Sequence, residues 1–251
     1  MFHELPAEQI TEAIDRTAEQ ALWEAEIAAP PVDAFKLAES VGAVVAEDTV
    51  GGPRARRVVV GGGGDGGETV ILLAPEERRE RRHWAVAHEV GESLAYRVFV
   101  GLGLDGHDGP RGAREWIANR LACAMLLPRE WFVDAMIERD ADLFELKRRF
   151  DTASHELIAR RWLEAIAGPI LVTVLDHTAI TWRRTNFTAA RPSLTPEERD
   201  TWRRAHERNR PTECEPVCYA DSGSLSRVRC WPIHEEGWRR EILLAEVAES
   251  W

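Results

Sequence analysis

Apolar positions along the chain divide it into a helical half and a strand-rich tail. Ile10, Ile14, Leu22, Ala25 and Ala29 recur at mostly helical spacing before Pro30-Pro31 breaks the pattern, which predicts a helix over 8–28. Asp33 is placed to cap a short helix to Ser40, Gly42 closes it, and Ala43-Val44-Val45-Ala46 reads as a strand. Two further strands, 57–60 and 68–74, flank the glycine tract 61–67, as in a hairpin with a long tip. That tract lacks the Gly-Lys-Ser/Thr ending of a phosphate loop, and no helix follows it directly. Pro75 pre-sets a helix over 76–99, with Glu76 and Glu77 at its positive end; a Gly- and Asp-rich loop over 101–112, placed to border a cleft, follows.

Helices are then predicted over 114–126, 128–139, 142–150 and 154–167. After Gly168-Pro169 the period changes: strands over 170–175 and 179–184 join across Asp176-His177-Thr178, a polar helix covers 196–209, and a further strand covers 227–233. The expected class is α+β, with a small antiparallel sheet and helices followed by a small α+β module. The expected divisions are an N-terminal helix (1–30), a central domain with a trailing helical pair (31–168) and a strand-rich C-terminal module (169–251).

The chemistry concentrates in His88-Glu89-Val90-Gly91-Glu92. On a helix, residues four apart lie about 40° from each other and one turn along, so His88 and Glu92 reach the same point. The pattern is close to H-E-x-x-H, in which two residues one turn apart hold zinc and the intervening Glu acts as general base. Here a carboxylate stands where the second imidazole would be. A zinc hydrolase site needs a third protein ligand and an open position. In the next helix Glu115 and Asn119 share a face, so Glu115 can reach the metal while Asn119 supports it. The resulting set is His88, Glu92 and Glu115 as metal ligands with Glu89 as base. Tyr96, one turn beyond Glu92, is a candidate oxyanion donor, against the simpler reading of a core aromatic with a satisfied hydroxyl. His83 lies about 140° around the helix from His88 and does not replace a ligand, whereas His107 and His155 are free to approach from other elements. Cys214-x3-Cys218 and Cys230-x3-His234 form two looser ligand pairs for a structural zinc site, against ordinary thiols.

These residues resemble the ImmA/IrrE family of intracellular zincin-like metallopeptidases, whose pattern is HExGH followed by ExxANxFAxxLLMP. The resemblance is carried by His88-Glu89-Val90-Gly91, then Glu115, Ala118-Asn119 and Leu126-Leu127-Pro128, and covers about 33–163. It implies a cytosolic zinc endopeptidase that cuts a regulatory protein, typically a helix-turn-helix transcriptional repressor. Glu92 replaces the family's second His. Two carboxylate ligands neutralise a dication more fully than one, so low basal activity and tolerance of Mn2+ in place of Zn2+ are expected.

A chain of 251 residues is long enough to bury a sizeable core, and no apolar run approaches the length of a membrane span. The formal charge of -11 argues against non-specific binding to nucleic acid or an anionic membrane. Lysine occurs only at Lys36 and Lys147, so arginine is simply the basic residue of this chain, and the run 78–82 reads as solvated helix turns. Without a basic leader ahead of an apolar stretch, a cytoplasmic location is expected, with the cysteines as thiols or ligands. Two other functions fit: a regulatory binding protein that keeps the fold and cuts nothing, and a DNA-binding regulator using the helices of 142–167 with a turn at 151–154. The acidic balance favours reading that pair as packed braces.

Overall fold

The computed structural model describes residues 5–49, 54–61, 67–106, 110–187, 193–216 and 225–248, which divide into two compact units. The first comprises 1–141 with 145–154, and the second 142–144 with 155–251.

In the first unit the predicted elements are present, with shifted ends. Helix α1 (Ala7–Glu24) buries Ile10, Ile14, Ala18 and Leu22 against α3 (Arg79–Gly101) and α4 (Arg111–Leu126). Arg97 Nη1 fastens it by donating to both carboxylate oxygens of Glu24, at 2.9 and 2.8 Å. Helix α2 (Ala34–Ser40) is capped as expected, with the Asp33 carboxylate accepting the Phe35 N–H at 2.9 Å. Strands β1 (Ala43–Glu47), β2 (Ala55–Val60) and β3 (Glu68–Leu73) pair in the order β1-β3-β2. The β2–β3 pair is antiparallel, as expected, whereas β1 joins β3 in parallel, so the sheet is mixed. The chain reverses twice between β1 and β3, which brings β3 back to the direction of β1. The glycine tip over 62–66 lies outside the described residues.

Helix α3 begins at Arg79, later than Pro75 suggests, because the Glu76 carboxylate accepts the Arg78 N–H at 3.1 Å and holds a turn there. Backbone donation from Arg78 leads the causes that hold the Glu76 carboxyl below the usual range. The arginine run that follows is engaged within the unit: Arg79 pairs with Asp151, Arg81 with Glu76, and Arg82 lies over the Phe35 ring. Helices α5 (Arg129–Glu138) and α6 (Leu143–Arg149) follow, with Phe132 and Phe150 packed at 5.7 Å.

The second unit is a five-stranded antiparallel sheet in the order β5-β4-β8-β7-β6, formed by β4 (Ile170–Asp176), β5 (Ala179–Thr185), β6 (Thr212–Cys214), β7 (Leu225–Glu235) and β8 (Trp238–Val247). Helix α7 (His155–Ala165) packs Trp162 against Trp231 of β7, with ring centroids 5.4 Å apart. Successive strand residues point to opposite faces, so α8 (Pro196–Arg208), which covers the face of Cys230 and Leu243, lies on the other side from α7. Thr195 and Glu198 form a capping box at the start of α8. Glu198 is also fully buried, where both its oxygens accept from Arg183, at 2.7 and 3.0 Å.

Candidate metal centre

Helix α3 turns Val86, Ala87, Val90, Leu94, Ala95 and Val98 into the first unit and leaves His88 and Glu92 on the rim of that buried face. Gly91 sets how close α4 comes. A Cβ built on it would stand 2.7 Å from the Ala118 carbonyl oxygen, so the two backbones touch where any other residue would hold them apart. Because Ala118 is three residues past Glu115, this close approach delivers the Glu115 carboxylate to His88.

The structure brings His88, Glu92 and Glu115 together. His88 Nε2 lies 3.8 Å from Glu92 Oε1 and 3.6 Å from Glu115 Oε1, and one ligand atom from each residue falls within 4.8 Å of the others. Tetrahedral bonds of about 2.0–2.2 Å require ligand atoms about 3.4 Å apart, so the donor set fits a small dication with little movement. Asn119 Nδ2 donates to Glu115 Oε1 at 3.1 Å, which orients that carboxylate as the helical spacing predicts.

Glu89 is only 7% exposed. Burial first, then the neighbouring Glu92, push its carboxyl above the usual range, against the opposing pull of His88 and of a hydrogen bond from the Arg57 backbone N–H. That bond places edge strand β2 beside the site, and Arg57 Nη1 adds a 2.6 Å bond to Ser93 Oγ of α3. A cleft of about 250 Å³ opens here, with Arg54 and Ala55 on one side and Trp84, His88, Glu89 and Glu115 on the other. Arg54 and Arg57 escape a reading by residue spacing, because only the strand order shows that β2 is the edge next to α3, whereas Trp84, one turn before His88 on α3, is within its reach.

Tyr96 is 46% exposed, which rules out the core reading, and its hydroxyl accepts from Arg97 Nε at 3.3 Å. His83 lies away from the site, as expected: it is buried, and its Nδ1 accepts the Ala34 N–H at 3.2 Å. His155 packs edge-on against Phe144 in the second unit, and His107 lies outside the described residues. The cysteine set is not gathered among the described residues. His234 turns instead to His206 and Glu241, Cys230 is buried, and Cys218 lies outside the described residues.

Gly91→Ala tests the close approach of the helices. The added methyl must push α4 away, costing about 1–3 kcal/mol and drawing Glu115 back from His88. Urea unfolding and Zn2+ titration should both register the change; a variant matching the parent in both would show that Gly91 does not set the site.

No curated protein matches the chain. A solved structure of a Mycobacterium tuberculosis transcriptional regulator is similar in fold, with a TM-score of 0.64 and 20% identity, over 95% of this chain and 81% of that one. Residues 39–163 match the IrrE N-terminal-like domain, a span that contains the whole cluster and ends at Leu163 as the motif resemblance does, and through it the chain belongs to the Peptidase_M78 family.

Proposed function

We propose that the chain is a cytosolic metal-dependent endopeptidase that cuts a regulatory protein, with a helix-turn-helix transcriptional repressor as the substrate class. The observation that carries this reading is the cluster itself: three ligand atoms from α3 and α4 within 4.8 Å of one another, beside the buried Glu89 carboxylate. Family membership supports a metallopeptidase, and one nitrogen with two carboxylate donors suits Zn2+ or Mn2+. No helix among the described residues is long and apolar enough to cross a membrane.

The chain's own groups account for the steps. Arg54 carbonyl accepts from Ala74 N–H, so the even-numbered residues of β2 bond to β3 while Ala55, Arg57 and Val59 point their backbone groups to the outer edge, where Glu89 accepts the Arg57 N–H. A substrate segment can add there as an extended strand, which lays a scissile carbonyl across the cleft. His88, Glu92 and Glu115 would hold the ion, which when bound would supply Lewis-acid polarisation of that carbonyl and acidify a water. Glu89, buried beside the cluster, takes the proton from the attacking water and passes it to the leaving amine. The Tyr96 hydroxyl accepts from Arg97 and keeps its own O–H hydrogen to donate to an oxyanion.

A second reading, a regulatory binding protein that cuts nothing, is favoured by one observation: Glu92 stands where the family pattern has an imidazole. The fold likeness to a transcriptional regulator is compatible with it. DNA binding through α6 and α7 has less support. Arg160 pairs with Glu156 and stacks over Trp182, and buried Arg161 pairs with Glu164, so neither is offered to a phosphate. The test is to incubate the full chain and Zn2+ with the helix-turn-helix repressor encoded nearest to it and follow the products by mass spectrometry. Chelator-sensitive cleavage at a defined bond is expected. A chain that binds the repressor in the presence of Zn2+ and leaves it whole would replace the peptidase reading with the second one.

A further inference from the structure

The second unit holds a cluster that the peptidase reading does not use. Glu241 of β8 is fully buried, yet its carboxylate is surrounded by polar partners. Oε1 lies 2.7 Å from His206 Nδ1 and 2.6 Å from His234 Nε2, and Oε2 accepts the Trp202 indole N–H at 3.2 Å. Three elements converge on this point. Trp202 and His206 are one turn apart on α8, so they share a face. Glu241 pairs with Pro232 across the β7–β8 hairpin, and His234, two residues further along β7, points to the same face as its diagonal neighbour.

A buried carboxylate is costly unless compensated, and here the nearest candidates are two imidazoles with ring centroids 5.4 Å apart. A divalent ion neutralises the carboxylate while leaving both rings neutral, which is the state in which imidazole ligates. Two imidazole nitrogens and one carboxylate oxygen, with ligand atoms all within 4.8 Å, are a donor set for zinc and its first-row neighbours. The Trp202 N–H on the second oxygen orients the carboxylate, as outer hydrogen bonds do at metal sites. His206 and His234 keep 21% and 11% of their side-chain surface exposed, so an ion can enter and solvent can complete its coordination.

We infer that His206, His234 and Glu241 form a second divalent transition-metal site, of the zinc class, that clasps α8 to the β7–β8 hairpin. It is independent of the peptidase reading. The test uses the full chain with the first cluster removed by His88→Ala and Glu115→Ala, titrated with Co2+ and with Zn2+. This background protein should bind one Co2+ with visible d–d absorption and no thiolate charge-transfer band, and Zn2+ should raise its melting temperature. Trp202→Phe should weaken binding by ~10-fold, as for outer-shell partners, and His206→Asn by more than ~100-fold, with unchanged circular dichroism. Glu241→Gln should behave like His206→Asn; if it fails to fold, His206→Asn and His234→Asn decide. A background protein that binds no Co2+, binds as tightly after His206→Asn, or shows a thiolate band would overturn the assignment, the last in favour of a cysteine site.

Discussion

Glu89→Gln will leave folding and metal binding intact and lower cleavage of the repressor by ~10²- to 10⁴-fold, the usual contribution of a general base. The amide is close to the carboxylate in size and can still accept the Arg57 backbone N–H that Glu89 accepts, so edge strand β2 has no reason to move. What it loses is the capacity to take a proton. Removing a buried carboxylate whose pKa is raised by burial and by Glu92 also relieves unfavourable electrostatics, so the variant should be at least as stable as the parent. Rate, metal content and urea unfolding measured together separate the base from a structural prop. Cleavage at the parental rate would remove Glu89 from the mechanism.

The second large effect is expected at Glu92, where the chain leaves its family's pattern. With Glu92 as a ligand, Glu92→Ala reduces the protein donors to His88 and Glu115, and Zn2+ affinity should fall by more than the ~10- to 100-fold typical of outer-shell losses. Glu92→His restores two imidazoles and one carboxylate, so it should keep the metal and cleave at least as fast as the parent. The binding-protein reading inverts the series: the parent carries no metal at this cluster, and Glu92→His gains both metal and cleavage. Competition titration against a chromophoric chelator, with His206→Asn as background to silence the second cluster, reads the difference.

Much of the first unit is legible in the sequence because its signals are local. Asp33 caps α2, Gly42 closes it at φ 74°, and the one-turn spacing of His88 and Glu92 survives folding unchanged. Glu115 was reachable because a second helix with its own i, i+4 pair follows at once. What spacing could not show is the edge position of β2, since strand order depends on pairings far apart in the chain.

The second unit is harder to read for two reasons. Helix α8 reads as polar because its buried face uses Glu198 and Thr201, and the burial of Glu198 is compensated by Arg183 from β5. Strand β8 is not among the predicted elements, although Gly237 at φ 70° marks a tight turn and Ile242-Leu243-Leu244-Ala245 is a fully buried run. Without β8, Glu241 has no place beside His234, and spacing alone pairs that histidine with cysteines rather than with His206.

Anomalous diffraction at the zinc edge, from crystals of the full chain grown with Zn2+, reads the ligands of the α3–α4 metal centre directly. A peak is expected about 2.0–2.2 Å from His88 Nε2 and from one carboxylate oxygen each of Glu92 and Glu115, with Glu89 beside it but not bound. A zinc-loaded crystal with no peak between those three side chains, or with a peak that Glu92 does not touch, would contradict this ligand set.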